Sequence, residues 1–229
     1  MCEVKDFEVK KFDIEKLIYK KNPTILIMGK RGSGKTTLVK DIIHKNIHKY
    51  INNDNIIFAS TGRGDNFGEY KIDNIMKNNI IQTEYNEDIL KEYLNKKMID
   101  IKENIRENTY VIFDDVIYSN KVVKTDKFLQ DLQLNNRHYL ITSIFTQQYP
   151  IKFPIEFQMN FDYIILVGDD FISNLRKIYD YYAGIFPSFD SFRQIHRELT
   201  EDHRCMIIDN TIRSGDIRDI ISWYKVDIL

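Results

Sequence analysis

Apolar residues in this chain fall into short runs separated by longer stretches of helical spacing, and that alternation sets the first expectation. Thr24-Ile25-Leu26-Ile27-Met28 is an almost wholly apolar run stopped by Gly29, the pattern of a strand buried on both faces. From Thr36 to Tyr50, Leu38, Ile42, Ile43, Ile47 and Tyr50 recur near helical spacing with no Gly or Pro between them, so a helix is predicted directly after the glycines. Further strands are predicted at 56–59, 110–113, 139–145, 163–167 and 205–208, and helices over 89–105, 124–134 and 171–182. The stretch 60–66, with Gly62 and Gly64, reads as a loop after the second strand. Strands alternating with helices argue for an α/β fold, a mainly parallel sheet flanked by helices on both faces. A length of 229 residues suits one large domain: residues 1–20 as an N-terminal extension, 21–210 as the core and 211–229 as a C-terminal tail.

Composition narrows the function classes more than it names one. A hydrophobic share of 43%, with fourteen Phe and fourteen Tyr, is globular and sufficient for a packed core. The formal charge of −1 neither favours nor excludes nucleic acid, so any such contact must come from a local basic surface. Cys2 and Cys205 are the two cysteines, which excludes a disulfide framework or a Cys-rich zinc site and suits a reducing compartment. The five His lack the H-E-x-x-H spacing of zinc proteases, and His138 reads as a packed or hydrogen-bonded residue. Met1 to Lys11 is charged, and no apolar run approaches membrane-spanning length, so neither a leader nor a membrane segment is expected.

The strongest chemical signal lies between the first strand and its helix. Gly29-Lys30-Arg31-Gly32-Ser33-Gly34-Lys35-Thr36 satisfies G-x-x-x-x-G-K-[ST] in full and in the required strand–loop–helix setting. Glycines let backbone N–H groups turn towards phosphate oxygens, and the helix start adds its positive dipole end. Lys35 is placed to reach the β and γ phosphates of ATP, Thr36 to ligate Mg²⁺ through its hydroxyl, and Thr37 to face the α-phosphate. Lys30 and Arg31 either add positive charge near the γ-phosphate or stay solvated.

Tyr110-Val111-Ile112-Phe113-Asp114-Asp115 is an apolar strand ending in two carboxylates, the Walker B arrangement. Asp114 is expected to orient Mg²⁺ and Asp115 to act as the base for the attacking water. The strand at 56–59 between the two motifs, and the carboxylate directly after Asp114, favour the ring-ATPase division over kinases and GTPases. The strand predicted at 139–145 leads into Thr146-Gln147-Gln148, where an amide can touch both water and γ-phosphate as a sensor. Gln147 is chosen over Gln148, against the alternative that both amides merely cap the strand end.

With these residues in place, the chain resembles the poxvirus-type genome-packaging ATPases of large DNA viruses, a branch of the FtsK/HerA superfamily. The likeness spans about Pro23 to Asp209. It is carried by Gly29 to Thr37, Phe113-Asp114-Asp115, Asn136-Arg137-His138 and Thr146-Gln147-Gln148-Tyr149, with Pro154, Asn160 and Asp162 as weaker support. The resemblance implies a RecA-like P-loop core in a homo-oligomeric ring, a pentamer or hexamer, that hydrolyses ATP with Mg²⁺ and drives double-stranded DNA into a preformed capsid. It also implies capsid or portal components as partners and a location in the host cytoplasm, at viral factories, and in the virion. The chain departs from the family pattern at Gln158, where an arginine is expected, and at Asp115, where many relatives carry Glu.

Ring ATPases commonly receive an arginine from the neighbouring subunit, and Gln158 cannot supply it. Arg137 is the first candidate and Arg176 the second. Arg137 precedes its strand and so belongs at the edge opposite the phosphate loop, which a ring turns towards a neighbour. The alternative is that Arg137 pairs with a carboxylate such as Asp131 or caps carbonyls. Two other functions stay open: a nucleotide or nucleoside kinase whose lid would use Arg193, Arg197 and Arg204, and an ATP-binding assembly scaffold with little turnover.

Overall fold

The computed structural model describes residues 9–18, 22–46, 54–60, 79–117 and 119–226. Among the described residues eight strands form one sheet: β1 (Thr24–Met28), β2 (Asn55–Ala59), β3 (Asn79–Gln82), β4 (Thr109–Asp114), β5 (Ile141–Gln147), β6 (Tyr163–Leu166), β7 (Arg204–Asp209) and β8 (Ile221–Lys225). Their order is β3-β2-β4-β5-β1-β6-β7-β8. Every pairing from β3 to β6 is parallel, and β7 and β8 join antiparallel. The expected mainly parallel α/β architecture is therefore the observed one. The strand that separates β1 from β4 in space is β5, while β2 lies beyond β4.

Burial on both faces explains why these strands are apolar without alternation. Leu26 and Met28 enter one core with Phe58, Phe113 and Phe145, whereas Ile25 and Ile27 enter the other with Ile57, Ile112 and Ile165. Successive side chains point to opposite faces, so only a sheet covered twice makes every position apolar. One cover is α1 (Lys35–Asn46) with the 3-10 turn Ile14–Ile18. The other contains α2 (Glu87–Lys102), α4 (Lys127–Asn135), α5 (Ile155–Gln158), α6 (Ile172–Tyr182) and α7 (Phe189–Thr200).

Local chemistry moves several predicted boundaries. Asn86 caps α2 by accepting from the amides of Asp88 and Ile89, which starts the helix two residues before the apolar pattern does. The helix expected over 124–134 is divided into α3 (Asn120–Thr125) and α4, because the Asp126 carboxylate accepts from the amides of Phe128 and Leu129 and begins a new helix. β5 runs two residues later than expected, since 136–140 forms a turn with Leu140 at φ +58°. α7 carries Phe189, Phe192, Ile195, His196 and Leu199 on its buried face, a helical stripe that the sequence reading passed over. After a short α8 (Ile217–Ile220), β8 forms within the stretch 211–229. The glycines at 62 and 64 lie outside the described residues.

The outer edge of β8 is covered by the chain's own start. The Phe12 amide donates to the Trp223 carbonyl at 2.7 Å, the Trp223 amide to Lys10 at 3.1 Å and the indole N–H to the Val9 carbonyl at 3.0 Å. Pairing of this kind occupies an edge that would otherwise template association.

A row of phenylalanines crosses the sheet just beneath the edge where the motifs converge. Phe58, Phe113 and Phe145 are direct partners on β2, β4 and β5. Their rings stack with centroids 5.4 and 4.6 Å apart, and Phe153, Phe157 and Phe161 close on Phe145 edge-on. Stacked rings on adjacent strands fix register as well as burying area. Phe145→Ala is expected to lower unfolding free energy by about 3–5 kcal/mol, read as a fall in the urea midpoint at constant slope.

Candidate nucleotide-binding site

Strands β1, β4, β5 and β6 deliver their carboxyl ends to one edge, with Met28 level with Gln147 and Leu166, and Asp114 level with Thr146. Open α/β sheets bind ligands outside these strand ends, next to a reversal of strand order. The phosphate loop springs from β1 at this edge. Its first residue must be glycine on contact grounds, because a Cβ on Gly29 would lie 2.2 Å from Val167 Cγ2. Gly32 and Gly34 have φ of +74° and +90°, a region where side chains are strained. The Gly29 amide donates to the Gln147 carbonyl at 3.2 Å, which ties the loop to β5.

Lys35 opens α1 and turns back across the loop, its Nζ donating to the carbonyls of Gly29 at 2.8 Å and Lys30 at 2.9 Å. Burial pushes its pKa down, while the carboxylates of Asp115, Asp114 and Asp169 oppose that shift. The ammonium thus sits in a concave, partly desolvated place surrounded by carbonyl dipoles and acids. Ser33 Oγ donates to the Lys30 carbonyl at 2.7 Å. Lys30 reaches out to an exposed ion pair with Asp170, and Arg31 and Thr37 are exposed.

Asp114 is buried at the end of β4. Thr36 Oγ1 donates to its Oδ2 at 3.3 Å, and Thr146 Oγ1 donates to its Oδ1. Two hard oxygen donors, Thr36 Oγ1 and Asp114 Oδ2, therefore meet beside the phosphate loop, the donor type and number that suit an ion shared with phosphate oxygens and water. The sequence places Thr146 in the motif after the strand but assigns no role to its hydroxyl, and its level with Asp114 follows once β5 is placed beside β4.

Asp115 leaves the strand at φ +55°, in the left-handed region. Its amide donates to the Thr146 carbonyl at 3.3 Å. The carboxylate accepts from the Gln148 backbone amide at 3.4 Å and from the Gln148 side-chain amide. Burial holds the Asp115 pKa above the ordinary carboxylate value, against the opposing pull of the Gln148 amide and of Lys35. Gln147 behaves differently: it is buried, its Oε1 accepts from the Ile151 amide at 3.4 Å, and its Nε2 has no partner among the described residues. The structure thus brings Gln148 to Asp115 and turns Gln147 into the loop that follows β5.

Arg137 stands at the opposite edge. It pairs with Asp162, whose other oxygen accepts from the Thr24 amide at 3.0 Å at the start of β1. Asp131, the partner weighed from sequence, instead accepts from the Tyr139 hydroxyl and from Asn135. His138 is exposed rather than packed. Arg176 lies 3.7 Å over the Phe189 ring, and the Gln158 amide donates to the Phe153 carbonyl. Arg204, at the start of β7, donates to the carbonyls of Glu201 and Glu198, and Arg197 of α7 lies 3.8 Å from the Glu201 carboxylate, so both are engaged at the carboxyl end of α7. A cavity of about 580 Å³ adjoins the phosphate loop, walled by Lys30, Gly34, Asp170, His203 and Arg204. Its far wall comes from the α7–β7 turn, which no local sequence signal links to the loop.

Comparison with known proteins agrees with this geometry. The NB-ARC domain model matches residues 8–144, from the N-terminal segment through the phosphate loop and the acidic strand. Protein L437 of Acanthamoeba polyphaga mimivirus is 32% identical over 228 residues, covering 96% of this chain and 77% of that protein. Protein 075L of Invertebrate iridescent virus 6 is 25% identical, covering 99% and 88%. The genome-packaging NTPase B204 of Sulfolobus turreted icosahedral virus 2, solved with AMP, superposes with a TM-score of 0.65 at 16% identity, over 91% of this chain and all of that one. The same NTPase has been solved with ATP-γS. The NB-ARC match ends inside β5, whereas the likeness to B204 takes in 91% of the chain. The chain belongs to the P-loop NTPases matched by the NB-ARC model, in one family with L437 of mimivirus, and it has the fold of the viral genome-packaging NTPase B204.

Proposed function

We propose that this chain, acting as a single domain, hydrolyses ATP to move double-stranded DNA into a preformed capsid. The observation that carries the hydrolytic half is the convergence of Lys35, Thr36, Asp114 and Asp115 on one sheet edge, with Asp115 buried enough to raise its pKa. The packaging half is supported by the likeness to B204 and by relatives in large DNA viruses. Capsid or portal components are then partners, and the host cytoplasm and virion are the places of work.

The residues divide the chemistry between them. Lys35 exchanges the carbonyls of Gly29 and Lys30 for the β and γ phosphates, and loop amides between Gly29 and Thr37 take the remaining oxygens. Thr36 and Asp114 would hold Mg²⁺, which when bound neutralises charge on the phosphate oxygens. Asp115 accepts the proton of the attacking water, and Gln148 fixes its carboxylate. The sensing role expected of Gln147 passes to Gln148, which meets Asp115 while Gln147 faces the segment after β5. Lys30 and Arg31 add positive charge at the loop mouth. Arg137, remote from its own subunit's phosphate loop, acts in a neighbour's site in a ring of five or six copies, after leaving Asp162.

ATP turnover measured with and without linear duplex DNA tests the reading. Stimulation by DNA is expected, with Lys35→Ala at less than a tenth of wild-type turnover. A kinase would show neither stimulation nor water as acceptor, and a scaffold would bind ATP without turnover.

Asp115→Asn is expected to bind ATP·Mg²⁺ and to stall hydrolysis, since an amide cannot take the water's proton. Because the folded pKa of Asp115 is raised, the basic form is lost at a higher pH than for an ordinary aspartate. The acid limb of the pH–turnover profile is therefore expected above the usual aspartate range.

Mixing tests the arginine. Arg137→Ala and Lys35→Ala proteins, each inactive alone, are expected to regain turnover when co-assembled. Wild-type turnover by assembled Arg137→Ala would remove the residue from the mechanism.

A further inference from the structure

The segment that follows β5 leaves the nucleotide site within one residue. Gln148 holds Asp115, and Tyr149 next to it is 56% exposed. Its ring is covered by Lys177 of α6, with Nζ 4.0 Å from the centroid. Three residues further on, Lys152 lies 5.6 Å over the Tyr181 ring, again on α6. Each element thus contributes one lysine and one tyrosine, and the two pairs cross in opposite senses. Lys177 and Tyr181 are four apart, on one stripe of the helix.

Two features set this strip apart from an ordinary solvated face. Neither Lys152 nor Lys177 has a carboxylate partner among the described residues, although Asp180 is exposed one residue from Tyr181 on α6. Lysines resting on rings keep outward charge while their stems are ordered, so less rotamer freedom is lost when an anion is met. The segment is also stiffly mounted, since Gln147 Oε1 accepts from the Ile151 amide and the Tyr182 hydroxyl donates to the Ile151 carbonyl.

The geometry points to this strip, Tyr149 and Lys152 with Lys177 and Tyr181, as the surface that contacts the DNA backbone, coupled to Asp115 through Gln148. This rests on the reading of the chain as a DNA-moving ATPase. Duplex DNA presents about one negative charge per 1.7 Å of axis, so a phosphate drawing Lys177 off Tyr149 finds charge complementarity without reading sequence. Loss of the ring contact frees Tyr149, and the displacement reaches Gln148 across a single peptide unit. Gln148 then shifts against the Asp115 carboxylate, which alters how Asp115 meets the attacking water.

The experiment compares wild type with Lys152→Ala/Lys177→Ala, using a labelled linear duplex titrated in ATP-γS across a salt series, and ATP turnover with and without that duplex. A control variant, Lys91→Ala/Lys102→Ala, removes the same charge from exposed positions on α2. We expect at least tenfold weaker duplex binding for the first variant, a log–log salt slope flatter by about two, and lost DNA stimulation with turnover in the absence of DNA retained. Wild-type affinity and slope in that variant, or equal losses in the α2 control, would overturn the surface assignment. Tyr149→Ala keeps both charges and tests the relay: duplex binding within about threefold of wild type with stimulation at least halved supports it, and full stimulation overturns it. A wild type that hydrolyses ATP but neither binds duplex nor responds to it would overturn the parent reading itself. A DNA-stimulated wild type matched by both strip variants overturns this inference alone.

Discussion

Asp114 joins three elements through one carboxylate. Thr36 of α1 donates to one of its oxygens, Thr146 of β5 to the other, and the strand that carries it is β4. The geometry of the edge follows from this shared acceptor, because the start of the phosphate-loop helix, the acidic strand and the strand bearing the two glutamines cannot shift independently. A buried carboxylate is costly unless its lone pairs are satisfied, and here Thr36 and Thr146 each donate a hydroxyl close to the phosphate loop. Beneath it, Phe113 and Phe145 stack at 4.6 Å, so the residues next in sequence, Asp114 and Thr146, inherit a fixed register.

The opposite edge is built on a second shared carboxylate. Asp162 accepts from the Thr24 amide and pairs with Arg137, so the first residue of β1 and the turn before β5 are clamped together. The sheet is thus fastened at both ends of its central strands, with β1 running between the two acids. Arg137 is the more exposed partner, its side chain 57% accessible, and an exposed arginine held by a carboxylate keeps its guanidinium oriented at modest cost.

Much of this was legible in the sequence because the relevant signals are local. The apolar run ending at Gly29, the complete glycine motif and the strand ending in Asp114-Asp115 each specify a backbone geometry within a few residues, and β1 and the loop stand as read. What was missed depends on contacts far apart in the chain. Thr146 matters only because β5 inserts between β1 and β4, and Gln148 reaches Asp115 only because Asp115 takes a left-handed turn at φ +55°. The division of 124–134 at Asp126 was locally encoded, since an acid followed by two amides in reach is a helix start; the apolar periodicity across it masked the break. β8 was hidden in a stretch without strand-like alternation, because its burial is set by β7 and by residues 9–12.

That covered edge has a spectroscopic side. The chain holds one tryptophan, Trp223, and its indole lies where β8 meets residues 9–12, with the Arg204 guanidinium 5.4 Å from the ring. Arg204 also walls the cavity beside the phosphate loop. The single indole emitter therefore reads two things at once: whether residues 9–12 remain seated on the sheet, and how the guanidinium beside that cavity is placed.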